Sequence, residues 1–278
     1  MDPRHTQTLM AVVAHPDDES LGLGGTLAKY VAEGVDVFLL TATRGEAGRF
    51  RGHRSDDHDH PGRLALAEIR EAELRAAAAV LGVHEVSLLD YHDQQLDRAN
   101  PREAIAAIAA HVRRIRPDVV VTFGPDGAYG HPDHVAICQF TTAATVAAAD
   151  PSFGTGHSPA LAAHAVSKLY YIAWAASSWA AYEAAFKKLV SVVDGVERQA
   201  VPWADWTITT VVDAREFSST VWRAITCHES QVAAYERLKQ LAPAQLDTLL
   251  GRQSFYRVFS MVNGGRARET DLFEGIRR

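Results

Sequence analysis

The feature that most constrains this chain is a short polar stretch, Ala14–Ser20, that directly follows the apolar run Leu9–Val13. The run predicts a buried strand, and in an open parallel sheet ligands bind at the carboxyl ends of such strands. Pro16 fixes its own φ and favours an extended conformation for the residue before it, so the turn is stiff. We therefore expect His15 and Asp18 to point at one spot.

A second histidine cluster, Tyr129–His134, follows the strand-like run Asp118–Phe123 through a turn of glycine and proline. Two such clusters at neighbouring strand ends would face each other. His15, Asp18 and His134 then make a three-ligand set that suits zinc, with ferrous iron as the alternative, and leaves one position for water. A polar turn that caps a helix would explain either cluster alone, but it explains the two together poorly.

The two clusters also resemble the signature of a known family. The sequences A-H-P-D-D-E (residues 14–19) and G-H-P-D-H (residues 130–134) are similar to those of the LmbE-like, or PIG-L, deacetylases, which include the mycothiol-pathway deacetylase and bacterial N-acetylglucosaminyl deacetylases. The resemblance continues in order at residues 70–83 and 228–231. It implies a zinc-dependent hydrolase that removes an N-acetyl group from an N-acetylglucosamine-type conjugate.

The hypothesis gives each polar residue of the two clusters a role. Asp17, beside the ligand Asp18, would take a proton from water as the general base. His131 would stabilise the oxyanion and help the amine to leave, and Asp133 would orient His131. Tyr129 would donate a hydrogen bond to the same oxyanion. The family resemblance implies the same roles at the same positions.

Three further residues are expected to contact the substrate. Arg70 lies on a predicted helix, Arg63–Leu81, where the alternative is a solvent-facing arginine; the resemblance implies that it reaches the site and holds a carboxylate or an anionic substrate group. Asp93 follows the predicted strand His84–Leu89 and resembles the family position that meets a sugar hydroxyl, with a turn-forming aspartate as the alternative. Glu46 resembles a position in the family's substrate loop.

The order of elements predicts an α/β fold. Strands and helices alternate through the first 150 residues, which favours a Rossmann-like, mostly parallel sheet with helices on both faces. We find no repeat and no low-complexity linker. The prediction is a single domain over residues 1–278, with an α/β core at 1–150 and a C-terminal elaboration at 151–278.

Individual elements are also predicted. We expect the first helix to run over Gly24–Ala32. In the C-terminal part, where the pattern is looser, we expect strands at 168–174, 206–212 and 255–259 and a helix over 217–241 that breaks near His228. The tryptophans of this part either line a sugar pocket or pack in the core; they are Trp174, Trp179, Trp203 and Trp206.

Composition excludes several classes of partner. The net charge of −6 argues against nucleic acid, since proteins that bind it usually carry a basic face. No apolar run approaches the ~20 residues of a membrane span, and Met1–His5 lacks the features of a signal peptide. Cys138 and Cys227 have no metal-site spacing and are expected to be free thiols. We therefore expect a cytoplasmic enzyme whose substrate is a small acetylated amino sugar or its conjugate. A homo-oligomer is compatible with the sequence.

Two other functions stay open at this point. An amidase that removes a larger acyl group from an amino sugar or thiol conjugate would use the same site. A non-catalytic metal-binding or nucleotide-binding module belongs to a different class. Gly22, Gly24 and Gly25 do not fit a dinucleotide or phosphate loop, and we expect them to let the helix start pack closely near the metal turn. The spare carboxylate of Asp17 argues against a purely structural metal site.

Overall fold

The computed structural model describes residues 6–156, 161–186, 190–193, 195–265 and 267–276, so Met1–His5 lies outside the described residues. The strands are β1 (Thr8–Val13), β2 (Asp36–Thr43), β3 (Glu85–Tyr91), β4 (Val119–Thr122), β5 (Lys168–Ile172), β6 (Val190–Val193), β7 (Val196–Gln199), β8 (Thr210–Asp213) and β9 (Arg252–Ser260). The main sheet has seven strands in the order β3-β2-β1-β4-β5-β9-β8, and β6 and β7 form a separate hairpin.

The helices include two single turns. They are α1 (Asp18–Ala32), α2 (Arg63–Leu81), α3 (Pro101–Ile115), α4 (Gly127–Gly130), α5 (Pro132–Ala149), α6 (Trp179–Phe186), α7 (Ser218–Cys227), α8 (Val232–Tyr235) and α9 (Pro243–Leu250). Short 3₁₀ turns lie at Leu96–Arg98, Ala176–Ser178, Asp205–Thr207, Arg215–Phe217, Glu229–Gln231 and Leu238–Gln240.

The topology places a crevice where both histidine clusters end. Strand β1 pairs in parallel with β2 on one side and with β4 on the other. The chain therefore moves outward from β1 through β2 and β3, and later in the opposite direction through β4 and β5. Ligands bind at such a switch point, outside the carboxyl ends of the strands. The predicted fold class, a mostly parallel α/β sheet with helices, is confirmed.

Buried aliphatic strands hold this crevice in place. Every residue of β1 and β4 is buried, as expected for strands covered on both faces. Helix α1 begins at Asp18, six residues before the predicted start at Gly24. Asp18 and Glu19 lie in its first turn, where carboxylates interact favourably with the helix dipole. The early start is what brings Asp18 to the edge of the sheet.

The C-terminal part completes the same sheet. Strands β5, β8 and β9 join it, and β9 runs antiparallel to both neighbours. The strand predicted at 206–212 is wrong in its first half, because Asp205–Thr207 forms a 3₁₀ turn and β8 begins only at Thr210. The long helix does break at His228, the C-cap of α7. The division at residue 150 stays a prediction.

Two of the expectations drawn from composition can be compared with the structure. Cys138 and Cys227 are both free, as predicted. Within the described ranges, no helix is long and apolar enough to cross a membrane.

Candidate metal centre and catalytic site

The three predicted metal ligands converge at the crevice. His15 Nδ1 and His134 Nε2 lie 3.1 Å apart. The Asp18 carboxylate oxygens lie 3.7 Å from His15 Nδ1 and 3.5 Å from His134 Nε2. All three side chains are buried. The structure therefore brings together residues that are more than a hundred positions apart in sequence, as their place after β1 and β4 requires.

Surrounding contacts orient these side chains. Asp18 Oδ2 accepts the backbone N–H groups of Ala14, at 3.2 Å, and His15, at 2.8 Å. This leaves Oδ1 directed at His134. The His134 ring is stacked on Phe123, with ring centroids 3.9 Å apart. Hydrogen bonds and packing of this kind fix ligands in place before a metal binds.

The donor set fits a divalent ion such as zinc. Zinc–nitrogen bonds of ~2.0–2.1 Å in a tetrahedral site place two ligand nitrogens about 3.3 Å apart, close to the separation of the two rings here. Burial raises the pKa of Asp18 to about 7, although His15 opposes this shift. A cation at this point would favour the ionised carboxylate. His131 also lies near enough to His15 and His134 to form a group that could hold a metal.

Two further carboxylates face the other side of the His15 ring. His15 Nε2 lies 3.1 Å from an oxygen of Asp93 and 3.1 Å from an oxygen of Asp133. Burial alone would lower the pKa of His15, but these two carboxylates raise it well above its usual value. Because Nε2 is engaged by carboxylates, Nδ1 is the nitrogen directed into the centre.

Asp17 projects beside this centre from a backbone that is unusual for a non-glycine residue, with φ of 103°. Its Oδ2 accepts a hydrogen bond of 2.5 Å from Tyr235 Oη and one of 3.2 Å from Arg70 Nη2. Among the described residues, Oδ1 accepts no hydrogen bond. Asp17 lines the polar cavity next to the ligands. One oxygen is therefore held, and the other is available to accept a proton.

Arg70 is buried and not solvent-facing. Besides Asp17, it donates hydrogen bonds to the backbone oxygens of Gly45 and Pro16. Burial would lower the pKa of this guanidinium, but the Asp17 charge raises it, so the side chain stays charged. A Cβ at Gly45, where φ is 65°, would lie only 2.1 Å from Arg70 Nη1, so glycine is needed there. Arg70 thus contacts a carboxylate of the site, the first of the two roles considered for it.

The structure differs from the predicted pairing of Asp133 with His131. His131 is the N-cap of α5, and its Nδ1 accepts the backbone N–H of Asp133. The Asp133 carboxylate accepts the backbone N–H groups of Gln94, at 2.7 Å, and Leu96, at 3.1 Å, and its third partner is His15. In the described contacts Asp133 therefore orients a predicted ligand. Burial lowers the pKa of His131 to about 4, which favours the neutral ring.

A polar cavity of about 180 Å³ opens over the centre. Asp93 lines it and also accepts the backbone N–H of Ala47, at 3.0 Å. Glu46 does not line it; its carboxylate accepts the backbone N–H of Asp93, at 3.0 Å, and so supports that residue. The Tyr129 ring lies 5.7 Å from the His131 ring. The lining of the cavity includes Asp17, Arg70, Asp93, Tyr129, His131 and Gln231.

Sequence reasoning missed Tyr235, which no local pattern distinguishes from a core tyrosine. In the sequence, His228–Gln231 is distinguished only by its resemblance to the family. The structure shows what these residues contact. His228 Nε2 lies 2.8 Å from Glu19 Oε1 on α1, with both side chains fully buried. Ser230 donates from its backbone nitrogen and its hydroxyl to Glu73 on α2. The motif thus connects the C-terminal part to the two helices that carry Asp18 and Arg70.

Comparison with known proteins identifies the family. Residues 10–145 match the PIG-L family, described as GlcNAc-PI de-N-acetylase. The 1D-myo-inositol 2-acetamido-2-deoxy-alpha-D-glucopyranoside deacetylase of Rhodococcus jostii (strain RHA1) is 34% identical over 96% of this chain and 98% of its own length. This chain belongs to the PIG-L family. A protein of the same name from Thermomonospora curvata is 33% identical over 96% of this chain and 96% of its own length. The predicted family and the predicted class of enzyme, a metal-dependent N-deacetylase, are confirmed.

Solved structures share this fold in more than one chemical setting. The N,N'-diacetylchitobiose deacetylase of Pyrococcus horikoshii matches with a TM-score of 0.67 at 20% identity, covering 92% of this chain and 85% of its own. The 4-carboxy-2-hydroxymuconate hydratase GalB of Pseudomonas putida KT2440 matches with a TM-score of 0.69 at 18% identity, covering 94% and 100%. Since a hydratase shares the fold, the family assignment rests on the sequence relatives and the function on the site.

Proposed function

We propose that this protein hydrolyses the N-acetyl amide of an N-acetylglucosamine-type conjugate, with zinc held by His15, Asp18 and His134. The sequence relatives are named for such a conjugate, a 2-acetamido-2-deoxy-glucopyranoside of inositol. The observation that carries the proposal is the convergence of these three side chains, whose nitrogen and oxygen atoms lie 3.1–3.7 Å apart. Beside them lies the Asp17 carboxylate, of which one oxygen is fixed by hydrogen bonds.

The first task of the site is to make a nucleophile from water. Zinc bound by three protein ligands lowers the pKa of water towards ~7 and polarises a carbonyl group. Asp17 Oδ1 accepts the proton that the attacking water gives up. Tyr235 and Arg70 hold Asp17 Oδ2, so the free oxygen keeps one orientation towards the cavity. A base positioned in this way contributes ~10²–10⁴ to the rate.

The second task is to stabilise the oxyanion and to release the amine. Burial raises the pKa of Tyr129, which keeps its hydroxyl protonated as a donor to the developing oxyanion. His131 also lines the cavity; because its Nδ1 accepts the backbone N–H of Asp133, the neutral ring offers its Nε2–H as a hydrogen-bond donor to the oxyanion. The proton that Asp17 took from water is the one that passes to the leaving nitrogen. Asp93 and Asp133 hold the far nitrogen of His15. They therefore act on the reaction through the orientation of a ligand.

The substrate's sugar is assigned to the polar cavity. Arg70, Asp93 and Gln231 offer charged and amide groups along its wall, which suits the hydroxyls of a sugar. An unpaired hydroxyl in an apolar site would cost free energy, so a polar lining is what a sugar requires. The amide would then lie between this cavity and the ligand set.

Hydrolysis of defined acetylated amino sugars tests the proposal. Zinc-loaded protein is incubated with the acetylglucosaminyl-inositol conjugate and, separately, with N-acetylglucosamine, and amine and acetate are both measured. We expect the two products in equal amounts, faster release from the conjugate, and no release by the His134→Ala variant. A metal-loaded wild type that releases no amine from either compound would refute the proposed function.

A further inference from the structure

A second, apolar cleft opens from the same centre. Its volume is about 80 Å³, and it meets the polar cavity at Asp18, Tyr129 and His134, which line both. Its other walls carry hydrocarbon and aromatic side chains, together with one glycine. They are Leu21, Gly22, Phe123, Ala128, Ile172, Trp174 and Tyr182.

We propose that this cleft binds the acyl group of the substrate and accepts straight acyl chains of three or four carbons as well as acetyl. The inference rests on the proposed function, since it assigns the other side of the same amide. An amide at the shared boundary has its carbonyl beside the ligand set and its sugar in the polar cavity. The acyl chain then lies towards the apolar cleft, whose walls away from the shared boundary are mostly hydrocarbon and aromatic and suit an alkyl chain better than sugar hydroxyls.

The volume of the cleft exceeds what acetyl fills. A water-sized group needs ~10–15 Å³ of this kind of volume, and the acetyl methyl is one such group. The cleft therefore has room for further methylene groups beyond that methyl. Each methylene moved from water to an apolar wall favours binding about fourfold. We therefore expect the affinity to rise with the length of the acyl chain until the chain fills the cleft.

The aromatic wall of the cleft is firmly packed. The rings of Trp174 and Tyr182 lie with centroids 4.9 Å apart, and Tyr182 is stacked on Trp179 at 4.7 Å. Tyr182 and the rings around it belong to a hydrophobic cluster of the C-terminal part. The tryptophans were expected either to line a sugar pocket or to pack in the core. Trp174 lines a cleft, but the walls of that cleft are mainly apolar and do not suit a sugar.

Gly22 also lines the cleft. It lies inside α1, where alanine is favoured over glycine, so Gly22→Ala is compatible with folding. A Cβ at this position would lie 3.6 Å from Ile172 Cδ1, an ordinary contact between two lining residues. The added methyl would therefore occupy cleft volume without forcing any neighbour to move.

The test compares acyl chains on one amine. The N-acetyl, N-propionyl and N-butyryl forms of the same glucosamine conjugate are assayed, and kcat/KM is measured for each. In the wild type, we expect kcat/KM for propionyl and butyryl to equal or exceed that for acetyl. Gly22→Ala should lower the butyryl-to-acetyl ratio about tenfold, the discrimination that one methyl group can supply in a hydrophobic pocket. Leu21→Ala, which widens the cleft, should raise the ratio.

Gly154→Ala is the matched control, because a Cβ there meets no atom within 4 Å, and the ratio should stay at its wild-type value. A wild type that hydrolyses acetyl but prefers it to propionyl by tenfold or more would overturn the acyl assignment. So would a butyryl-to-acetyl ratio that Gly22→Ala leaves unchanged. Both results leave the proposed deacetylase function standing, whereas failure to hydrolyse any of the three amides refutes that function itself.

Discussion

At the scale of single residues, the two oxygens of Asp17 have different surroundings. Tyr235 and Arg70 both contact Oδ2, and Oδ1 has no described hydrogen-bond donor. The positive φ of Asp17 is strained for a residue with a side chain. The neighbouring contacts of its backbone, including a hydrogen bond of 2.9 Å from its nitrogen to Glu19, hold it there. The strain thus occurs at the residue assigned as the base.

Replacing Asp17 by asparagine should separate metal binding from catalysis. Asparagine keeps the size of the side chain but cannot take up the proton from water. We expect Asp17→Asn to bind metal as the wild type does and to lose ~10²–10⁴ in kcat. Elemental analysis and steady-state assays on the same preparation measure both quantities. An Asp17→Asn enzyme with most of its activity would mean that another group is the base.

Tyr235→Phe tests whether Asp17 needs to be held. The hydroxyl of Tyr235 donates to a charged carboxylate, and such hydrogen bonds contribute ~1.5–3 kcal/mol. We expect kcat to fall about tenfold to a hundredfold, with KM and metal content close to those of the wild type. Tyr171→Phe is the control, since the Tyr171 hydroxyl contacts Thr142 on α5 and not Asp17. If KM rose while kcat stayed constant, Tyr235 would be a substrate contact instead.

At the scale of elements, helix α1 connects the catalytic turn to the C-terminal part. Gly24 and Gly25 do allow close packing, but against the C-terminal part and not near the metal turn as predicted, and Gly22 has only an ordinary contact. A Cβ at Gly25 would lie 2.8 Å from the backbone oxygen of Leu250 and 2.9 Å from Ala214 Cβ. A Cβ at Gly24 would lie 3.1 Å from Val221 Cγ1.

For Gly25→Ala in α1, the packing predicts a loss of stability where helix propensity alone would predict a gain. Alanine is favoured over glycine inside a helix by ~1 kcal/mol. At Gly25 the added methyl must displace backbone, so Gly25→Ala should lower the free energy of unfolding by ~1–3 kcal/mol. Gly22→Ala, in the same helix but with an ordinary contact, should not lower it. Urea unfolding of both variants measures the difference, and equal stability of the two would contradict this packing account.

The elements that could be predicted from sequence are those with strong local signals. The helix Arg63–Leu81 has the predicted bounds, because its apolar period ends at Gly82, whose φ of 80° favours glycine. The start of α1 was misplaced, since its first turn is polar and its role is visible only in three dimensions. The hairpin of β6 and β7 and the helices α6 and α9 went unpredicted, because their segments are short and are held by tertiary contacts.

At the scale of the whole molecule, one buried carboxylate ties the C-terminal strands together. Glu269 and Lys168 are both buried and form an ion pair of 2.7 Å. Burial would raise the pKa of Glu269, but the hydrogen bond from Lys168 and those from its other partners lower it to about 2. The donors to Glu269 are Lys168 and Tyr170 on β5, Thr210 on β8, Arg257 on β9, and Asn263.

The Glu269 network predicts a stability that depends on pH. The folded pKa is below the unfolded value of ~4.3, so the ionised carboxylate stabilises the fold above pH ~4.3, and this contribution is lost as the pH falls from there towards 2. Glu269→Gln should cost ~3–5 kcal/mol at pH 7, as loss of one partner of a buried pair does. Its difference from the wild type should shrink across that acidic range.

Urea unfolding between pH 7 and pH 3 measures this difference. Glu216→Gln is the matched control, since Glu216 is exposed, and it should unfold like the wild type throughout. A Glu269→Gln protein as stable as the wild type at pH 7 would show that the network contributes nothing to folding.

The site as a whole needs both parts of the chain, and this limits what sequence alone could predict. The convergence of His15, Asp17, Asp18 and His134 at one place was predictable because each histidine cluster follows a strand. From the C-terminal part, Tyr235 contacts Asp17 and Trp174 lines the apolar cleft, and the His228–Glu19 pair joins residues 209 positions apart. A single sequence holds no signal for such pairs. The contact of Asp133 with His15 was missed for the same reason.

The central claim is that His15, Asp18 and His134 hold a catalytic metal. Elemental analysis of the wild type and the His134→Ala and Asp17→Asn variants, purified side by side, tests it most directly. We predict about one equivalent of zinc or iron in the wild type and in Asp17→Asn, and loss of most of it in His134→Ala. A wild type without metal, even after anaerobic reconstitution with zinc or ferrous iron, would contradict the account, as would a His134→Ala protein with undiminished metal.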